Sequence, residues 1–259
     1  MALPLNLRKF MIKEKIKNKQ AVLGTWCDIP SPSLANVIAK AGLDFIIIDL
    51  EHGPMDYKSA QEMAMAAEAG GCEAIVRVPS NEESSILKSL DMGGAGIIVP
   101  HIKNIEDRDR AINFAKFKPQ GNRSYNPYIR AFGYSSLADI KQNNQDTLLA
   151  VMLEDINSLD SLEKIADSAE VDVIYVAKYD LAVSMGHSSD INHSEVNQTV
   201  ESAIKRIIQS GKAAGCMVHS PAEIDFYKKL GANFLVYKVD SSVVYDAYKN
   251  ISGNFKGKT

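Results

Sequence analysis

Hydrophobic and polar positions alternate along this chain in blocks rather than residue by residue. Continuous apolar runs rich in Val and Ile recur at 21–26 (AVLGTW), 45–49 (FIIID), 74–78 (AIVRV), 96–100 (GIIVP), 148–153 (LLAVML), 173–177 (VIYVA), 215–219 (GCMVH) and 234–238 (FLVYK). Short runs without alternation are those of strands covered on both faces. Between them the spacing turns helical. SPSLANVIAKAG (31–42) opens on a Ser suited to an N-cap and closes on a Gly that stops a helix; the stretches 56–71, 82–94 and 220–232 follow the same scheme. About eight strand–helix units in 259 residues predict an α/β fold, a (β/α)8 TIM barrel. An open doubly wound sheet is the rival. It would carry a glycine-rich phosphate loop after its first strand, and GTWCDIPSPS is not one.

The basic, amphipathic start MALPLNLRKFMIKEKIKNK (1–19) predicts an N-terminal helix capping one end of the barrel, with attachment to a membrane surface as the alternative. No linker or low-complexity tract interrupts the pattern, so one domain is expected over residues 1–259. One segment breaks the rhythm: KPQGNRSYNPYIRAFGYSS, residues 118–136, a long loop of the kind that is usually functional.

Composition narrows the function classes. With 46% hydrophobic residues, 24% charged residues and a net charge of -3, the chain reads as an ordinary globular protein without the basic stripe a nucleic-acid partner requires. No apolar run approaches the ~20 residues of a membrane span, and no signal-peptide core or cleavage site is present. Cys27, Cys72 and Cys216 are few, odd in number and set among apolar residues, as buried free thiols in a reducing compartment would be. A cytoplasmic location is therefore expected.

The strand ends carry more charge than packing requires. The first run gives Trp26 and Asp28, the second Asp49, Glu51 and His52, the third Arg77, the fifth Glu154 and Asp155, the sixth Lys178 and Asp180, the seventh His219, and the eighth Lys238 and Asp240. In a barrel these ends share one mouth, where active sites lie. Each has an ordinary reading. Asp49 can cap the following turn, His52 can be a hydrogen-bonded core histidine, Arg77 can pair with Asp49 or Glu51, and Glu154 and Asp180 can pair with Lys178 and Lys238. The functional reading joins them. Two carboxylates at adjacent strand ends suit a hard divalent cation such as Mg2+ or Mn2+. A cation beside an Arg suits a 2-oxo acid, whose developing negative charge both stabilise, with a His nearby to move the proton.

With these motifs in view, the chain resembles the HpcH/HpaI aldolases, metal-dependent class II pyruvate aldolases of the phosphoenolpyruvate/pyruvate barrel superfamily. The pieces that carry the resemblance are ordered along nearly the whole chain: GTW, AGLDFIIIDLEHGP, IVRVP, LKSLDMGGAGIIVPHI, PQGNR, LEDINSLDSLEKIA, VIYVAKYDLAVSMG and the final YKVDSSVVYDAY. The resemblance implies an aldehyde-lyase that joins or splits pyruvate and an aldehyde through a 4-hydroxy-2-oxo acid. It implies His52 as catalytic base paired with Asp91, and Arg77 facing the substrate's keto and carboxylate oxygens. It implies Glu154 and Asp180 as ligands of Mg2+ or Mn2+, with Co2+ a further option. Asp49 and Glu51 would stand near the metal's waters, and Trp26 would wall the pocket. It also implies a homo-oligomer, a hexamer or trimer of dimers.

Departures from the family pattern fall at Met152, where Gln is usual, at Ala177 and Lys178, where Gly-Pro is usual, at Lys238 in place of Gly, and at Ser124 after Arg123. Extra lysines at the mouth imply a more anionic or sugar-acid-like substrate, with Lys178, Lys238 and Arg123 as binding residues. Two readings stand beside this one: a Schiff-base aldolase using Lys178, and a repurposed barrel that binds a metabolite without aldolase chemistry.

Overall fold

The structure is a computed structural model and describes residues 11–135, 139–188 and 190–257. Each predicted run is a strand: β1 Val22–Cys27, β2 Phe45–Asp49, β3 Glu73–Arg77, β4 Gly96–Val99, β5 Leu148–Leu153, β6 Val173–Val176, β7 Ala213–Val218 and β8 Phe234–Val239. They pair in parallel, in chain order, and β8 returns to β1, which closes the barrel. The α-helices are α1 Met11–Lys17, α2 Pro32–Lys40, α3 Tyr57–Gly70, α4 Glu83–Asp91, α5 Ile105–Ala115, α6 Ile140–Asp146, α7 Leu162–Ala166, α8 Lys178–Ser184, α9 Ser194–Gln209, α10 Pro221–Leu230 and α11 Asp240–Lys256. The TIM barrel expected from the block pattern is the observed fold. Its helices begin as the sequence promises, with Ser31, Asp56 and Ser220 accepting from the backbone N–H three residues on.

The expected capping helix is seen in α1; residues 1–10, which the prediction also covered, lie outside the described residues. Ile12 and Ile16 plug the bottom of the barrel against its interior cluster. Polar groups of α1 are met by strand starts. The Ile12 N–H donates to Glu73 Oε2 at 2.9 Å, and Lys13 Nζ donates to the Thr147 carbonyl at 3.0 Å and pairs with Asp172 at 2.9 Å.

Period-two alternation fills the interior in layers. Phe45 and Phe234 stack near the bottom with centroids 4.5 Å apart. Above them Trp26 and Tyr175 meet edge to face, and the indole N–H donates to the Tyr175 hydroxyl at 3.2 Å. One step higher, the same alternation brings Asp28, Asp49, Arg77 and Glu154 to the mouth. At β8 it fails. The register with β1 shifts between Gly24 and Trp26, Lys238 takes φ of 47°, and Val239 packs against the interior cluster in its place.

The long loop packs the underside, because it follows a helix rather than a strand. Arg130 donates to the carbonyls of Met92 and Gly93, at the entry to β4, and pairs with Glu68 at 2.6 Å. Its last predicted residue, Ser136, is not among the described residues. All three cysteines are buried and free, as expected. No helix among the described residues is long and apolar enough to cross a membrane.

Gly96 sits where β4 and β5 come closest: a Cβ there would lie 2.2 Å from the Leu148 carbonyl oxygen, a backbone atom that cannot swing aside. Gly96→Ala should lower unfolding stability by about 1–3 kcal/mol, read as a shifted urea midpoint at unchanged slope.

Candidate active site

The site is built around Arg77, the last residue of β3, buried at 7% exposure. Its Nε donates to Asp49 Oδ1 at 2.8 Å, and Nη2 is paired with Asp49 Oδ2. Nη1 lies 3.0 Å from Glu51 Oε2. The guanidinium carbon sits 4.6 Å from the centre of the Trp26 ring, a cation–π contact. A guanidinium carries five N–H donors; the hydrogen bonds to Asp49 use two of them, and Nη1 meets Glu51 as an ion pair without a directed hydrogen bond. Burial opposes ionisation of Asp49, but the hydrogen bonds and charge of Arg77 outweigh it and hold the carboxyl below its ordinary value. Asp49 also accepts from the backbone N–H groups of Glu51 and His52, so it fixes the turn after β2 as well as the arginine. The ordinary readings are thus realised: Asp49 caps the following turn, and Arg77 pairs with Asp49 and Glu51.

Glu154 follows β5 and is buried at 8% exposure. Burial pushes its carboxyl above the ordinary value, the nearby charges of Glu51 and Asp180 push the same way, and His101 opposes them. Asp180 lies in the first turn of α8, and both carboxylates line a cavity of about 170 Å³ with His101, Ile102, Lys103 and Asp155. Glu51 Oε2, although close to Arg77, has no well-directed hydrogen bond among the described residues. A carboxylate raised by burial and by two others, beside a carboxylate with an unused acceptor, is a donor set that fits a hard divalent cation. Glu154 and Asp180, which line one cavity, could hold it.

His101 was missed in the sequence, although it follows the apolar run GIIVP as directly as Glu51 follows its own. Its Nδ1 lies 2.8 Å from Glu154 Oε2 and its Nε2 2.8 Å from Glu51 Oε1. Its backbone N–H also donates to Glu154.

Other expected members stand elsewhere. His52 is exposed at the mouth, and its imidazole makes no hydrogen bond among the described residues. Asp91 does not pair with it. Asp91 closes α4 at the opposite end of the barrel, where its Oδ1 accepts from Arg123 Nη2 at 2.8 Å. Arg123 is likewise removed from the mouth. Its guanidinium stacks 4.8 Å over Phe117 beneath the barrel.

Trp26 is a buried support under Arg77 rather than an open wall. Lys238, turned by the β8 bulge, pairs with Asp246 of α11 at 2.7 Å. Lys178 follows the inward-facing Tyr175 and Ala177 by alternation and so points outward. Burial lowers its pKa, and the charges acting on it come from Glu223 of α10 and Cys216 on the outer side of β7. Neither lysine pairs with Glu154 or Asp180 among the described contacts.

The family model of the HpcH/HpaI aldolase/citrate lyase family matches residues 23–247. A hydroxypyruvate/pyruvate aldolase of Cupriavidus necator is 32% identical over 246 residues, 94% of this chain and 91% of that protein. A 5-keto-4-deoxy-D-glucarate aldolase of Enterobacter sp. is 29% identical over 245 residues, 94% of this chain and 96% of the other. Among solved structures, the citrate synthase SbnG superposes with a TM-score of 0.87 at 28% identity, covering 95% of this chain and 97% of that one.

Burial, then the charges of Asp49 and Asp240, push Asp28 up to about 6. Because the folded state keeps this proton above the pH at which the unfolded chain releases it, stability should fall as pH rises from about 4 to 6 and then level off. In metal-free protein, Asp28→Asn should remove that decline and raise the denaturation midpoint at pH 8, measured by urea unfolding at both ends of the range.

Proposed function

This chain belongs to the HpcH/HpaI aldolase/citrate lyase family, and on that premise we propose that it is a divalent-metal-dependent aldolase. It interconverts a 4-hydroxy-2-oxo acid of sugar-acid type with pyruvate and an aldehyde. The observation that carries this reading is the placement of Arg77, fixed by Asp49 and Glu51, at the same mouth as the paired carboxylates Glu154 and Asp180. Mg2+ or Mn2+ held by Glu154 and Asp180 would supply Lewis-acid polarisation of the 2-oxo group.

The chain's own residues do the rest. The N–H groups of Arg77 that Asp49 does not use bind the pyruvyl oxygens and hold the charge that develops as the C3–C4 bond breaks. Asp49 and Glu51 keep the guanidinium from turning away, and Trp26 supports it from below. His52, exposed where the substrate enters, takes the C4-hydroxyl proton. The sugar-acid preference follows the 5-keto-4-deoxy-D-glucarate aldolase relatives. Lys103, which lines the same cavity, is placed to meet a distal carboxylate in a way Lys178 and Lys238 are not.

The reading includes a homo-oligomer. α11 exposes Val243, Tyr245, Tyr248, Ile251 and Phe255, a run of apolar side chains that a second copy would cover. Asp91 lies at the far end of the barrel from His52, so any support it gives that base comes from a second copy. A hexamer or trimer of dimers is the expected order, and the cytoplasm the expected location.

Cleavage of 5-keto-4-deoxy-D-glucarate, followed by pyruvate reduction with lactate dehydrogenase, tests the proposal. EDTA should abolish turnover and Mg2+ or Mn2+ should restore it. Glu154→Gln should cost about 10²-fold or more in kcat/KM. Lys178→Ala should stay within a few-fold of wild type, and borohydride with pyruvate should trap no adduct. Turnover that survives EDTA and disappears in Lys178→Ala would replace the metal with a Schiff base.

A further inference from the structure

The ends of β6 and β7 carry a hydrogen-bonded chain of side chains that the proposed reaction leaves unused. His219 directly follows β7, and alternation from Met217, which packs against the interior cluster, turns it towards the barrel axis. Its Nδ1 lies 3.2 Å from Glu223 Oε2, and its backbone N–H donates to the same oxygen at 2.8 Å. Glu223 is itself fixed at the start of α10, where its backbone N–H donates to Ser220 Oγ at 3.2 Å. Tyr179 comes from the first turn of α8, directly before Asp180. Its hydroxyl lies 3.1 Å from His219 Nε2, and the two rings meet edge to face with centroids 5.9 Å apart.

Helix capping accounts for only part of this chain. A Ser followed three residues later by a Glu is a capping arrangement, and it explains Glu223. It requires neither an imidazole at 219 nor a phenol at 179, which is tethered by its oxygen although the residue is 44% exposed. The partners set the direction of the protons. Glu223 takes the Nδ1 proton, so Nε2 of the neutral imidazole accepts and the Tyr179 hydroxyl donates. Burial and then the charge of Glu223 hold the phenol above its ordinary value, against Lys238, so it keeps that proton. The lone pairs of the phenol oxygen are left for a donor that arrives from the mouth. A substrate hydroxyl is such a donor; an oxo or carboxylate oxygen is not.

We propose that Tyr179, positioned by His219 and Glu223, recognises a hydroxyl on the aldehyde half of the substrate. The inference rests on the aldolase reading and deepens it. The acceptor is a hydroxyaldehyde, selected over an aldehyde of the same size that lacks the hydroxyl. Asp180, on the cavity assigned to the cation, is the next residue in the chain, so this subsite adjoins the pyruvyl half-site and is separate from it.

The test runs in the direction of synthesis, with pyruvate and the full-length protein loaded with Mn2+. Glycolaldehyde is compared with propanal, in which a methyl group replaces the hydroxyl. Wild type should favour glycolaldehyde in kcat/KM. Tyr179→Phe should lower kcat/KM for glycolaldehyde on the order of tenfold, mainly through KM, and should change that for propanal by less than about twofold. His219→Ala should move in the same direction. Glu223→Gln, whose amide oxygen still accepts from Nδ1, should retain the preference. Deuterium exchange into pyruvate, which needs no acceptor, reports the enolate chemistry separately and should continue in Tyr179→Phe.

Turnover of propanal that matches or exceeds glycolaldehyde in wild type, or no turnover of glycolaldehyde, overturns the hydroxyl subsite. So does a preference that Tyr179→Phe leaves intact; in each case continued exchange keeps the aldolase reading. Loss of exchange in Tyr179→Phe that circular dichroism shows to be folded also overturns the subsite, because the phenol then serves the pyruvyl half. No exchange in wild type overturns the aldolase reading and the subsite with it.

Discussion

A positive charge that cannot leave the protein interior organises this mouth. Arg77 ends a strand whose other residues are fully buried, and its guanidinium has little water to turn to. Removing one partner from a buried ion pair costs about 3–5 kcal/mol, so its partners are constrained as tightly as it is. Asp49 takes two of its donors, and the neighbouring turn then fixes Glu51 against a third. Glu51 reaches across to His101, and His101 reaches Glu154. One chain of contacts thus links β2, β3, β4 and β5 around half of the barrel rim, and Trp26 and Tyr175 support it from below.

The two ends of the barrel divide the work. At the bottom, buried cations are satisfied within the chain and serve the fold. Lys116 is 1% exposed and donates to the carbonyls of Asn144 and Thr147 at 2.7 and 2.9 Å. Burial draws its pKa down to about 8. Lys13 is held by the Thr147 carbonyl and Asp172, and Arg123 by Asp91, although its buried Nε has no partner among the described residues. At the top, carboxylates outnumber the cations that face them, and Glu154 is left raised by burial and then by its carboxylate neighbours. A surplus of negative charge is poor for stability and suits a cation.

Much of this was legible in the sequence. Continuous Val- and Ile-rich runs marked the strands to within two residues, because doubly covered strands leave no room for alternation. Asp49, Arg77 and Glu154 could be placed at the mouth because period-two alternation carries the interior face up to them. The same rule, applied from Tyr175 through Ala177, turns Lys178 outward; the strand-end inventory credited position without face. Lys238 was not legible, since a bulge in β8 reverses its face and no local residue announces it. Asp91 and Arg123, whose roles the resemblance supplied without their geometry, meet each other away from the mouth within this chain. Asp91 ends α4 and Arg123 follows α5, and helix ends lie at the opposite end from the mouth. His101 carried the signal used for the others, an ionisable side chain directly after an apolar run.

The central claim is that Glu154 and Asp180 hold a cation which, with Arg77, stabilises the enolate of a bound 2-oxo acid. Deuterium exchange into the pyruvate methyl group in D2O, followed by proton NMR, tests it without any knowledge of the aldehyde. The account predicts exchange with Mg2+ in wild type, none after EDTA, and none in Glu154→Gln. Exchange that continues at the wild-type rate in EDTA and in Glu154→Gln would contradict it.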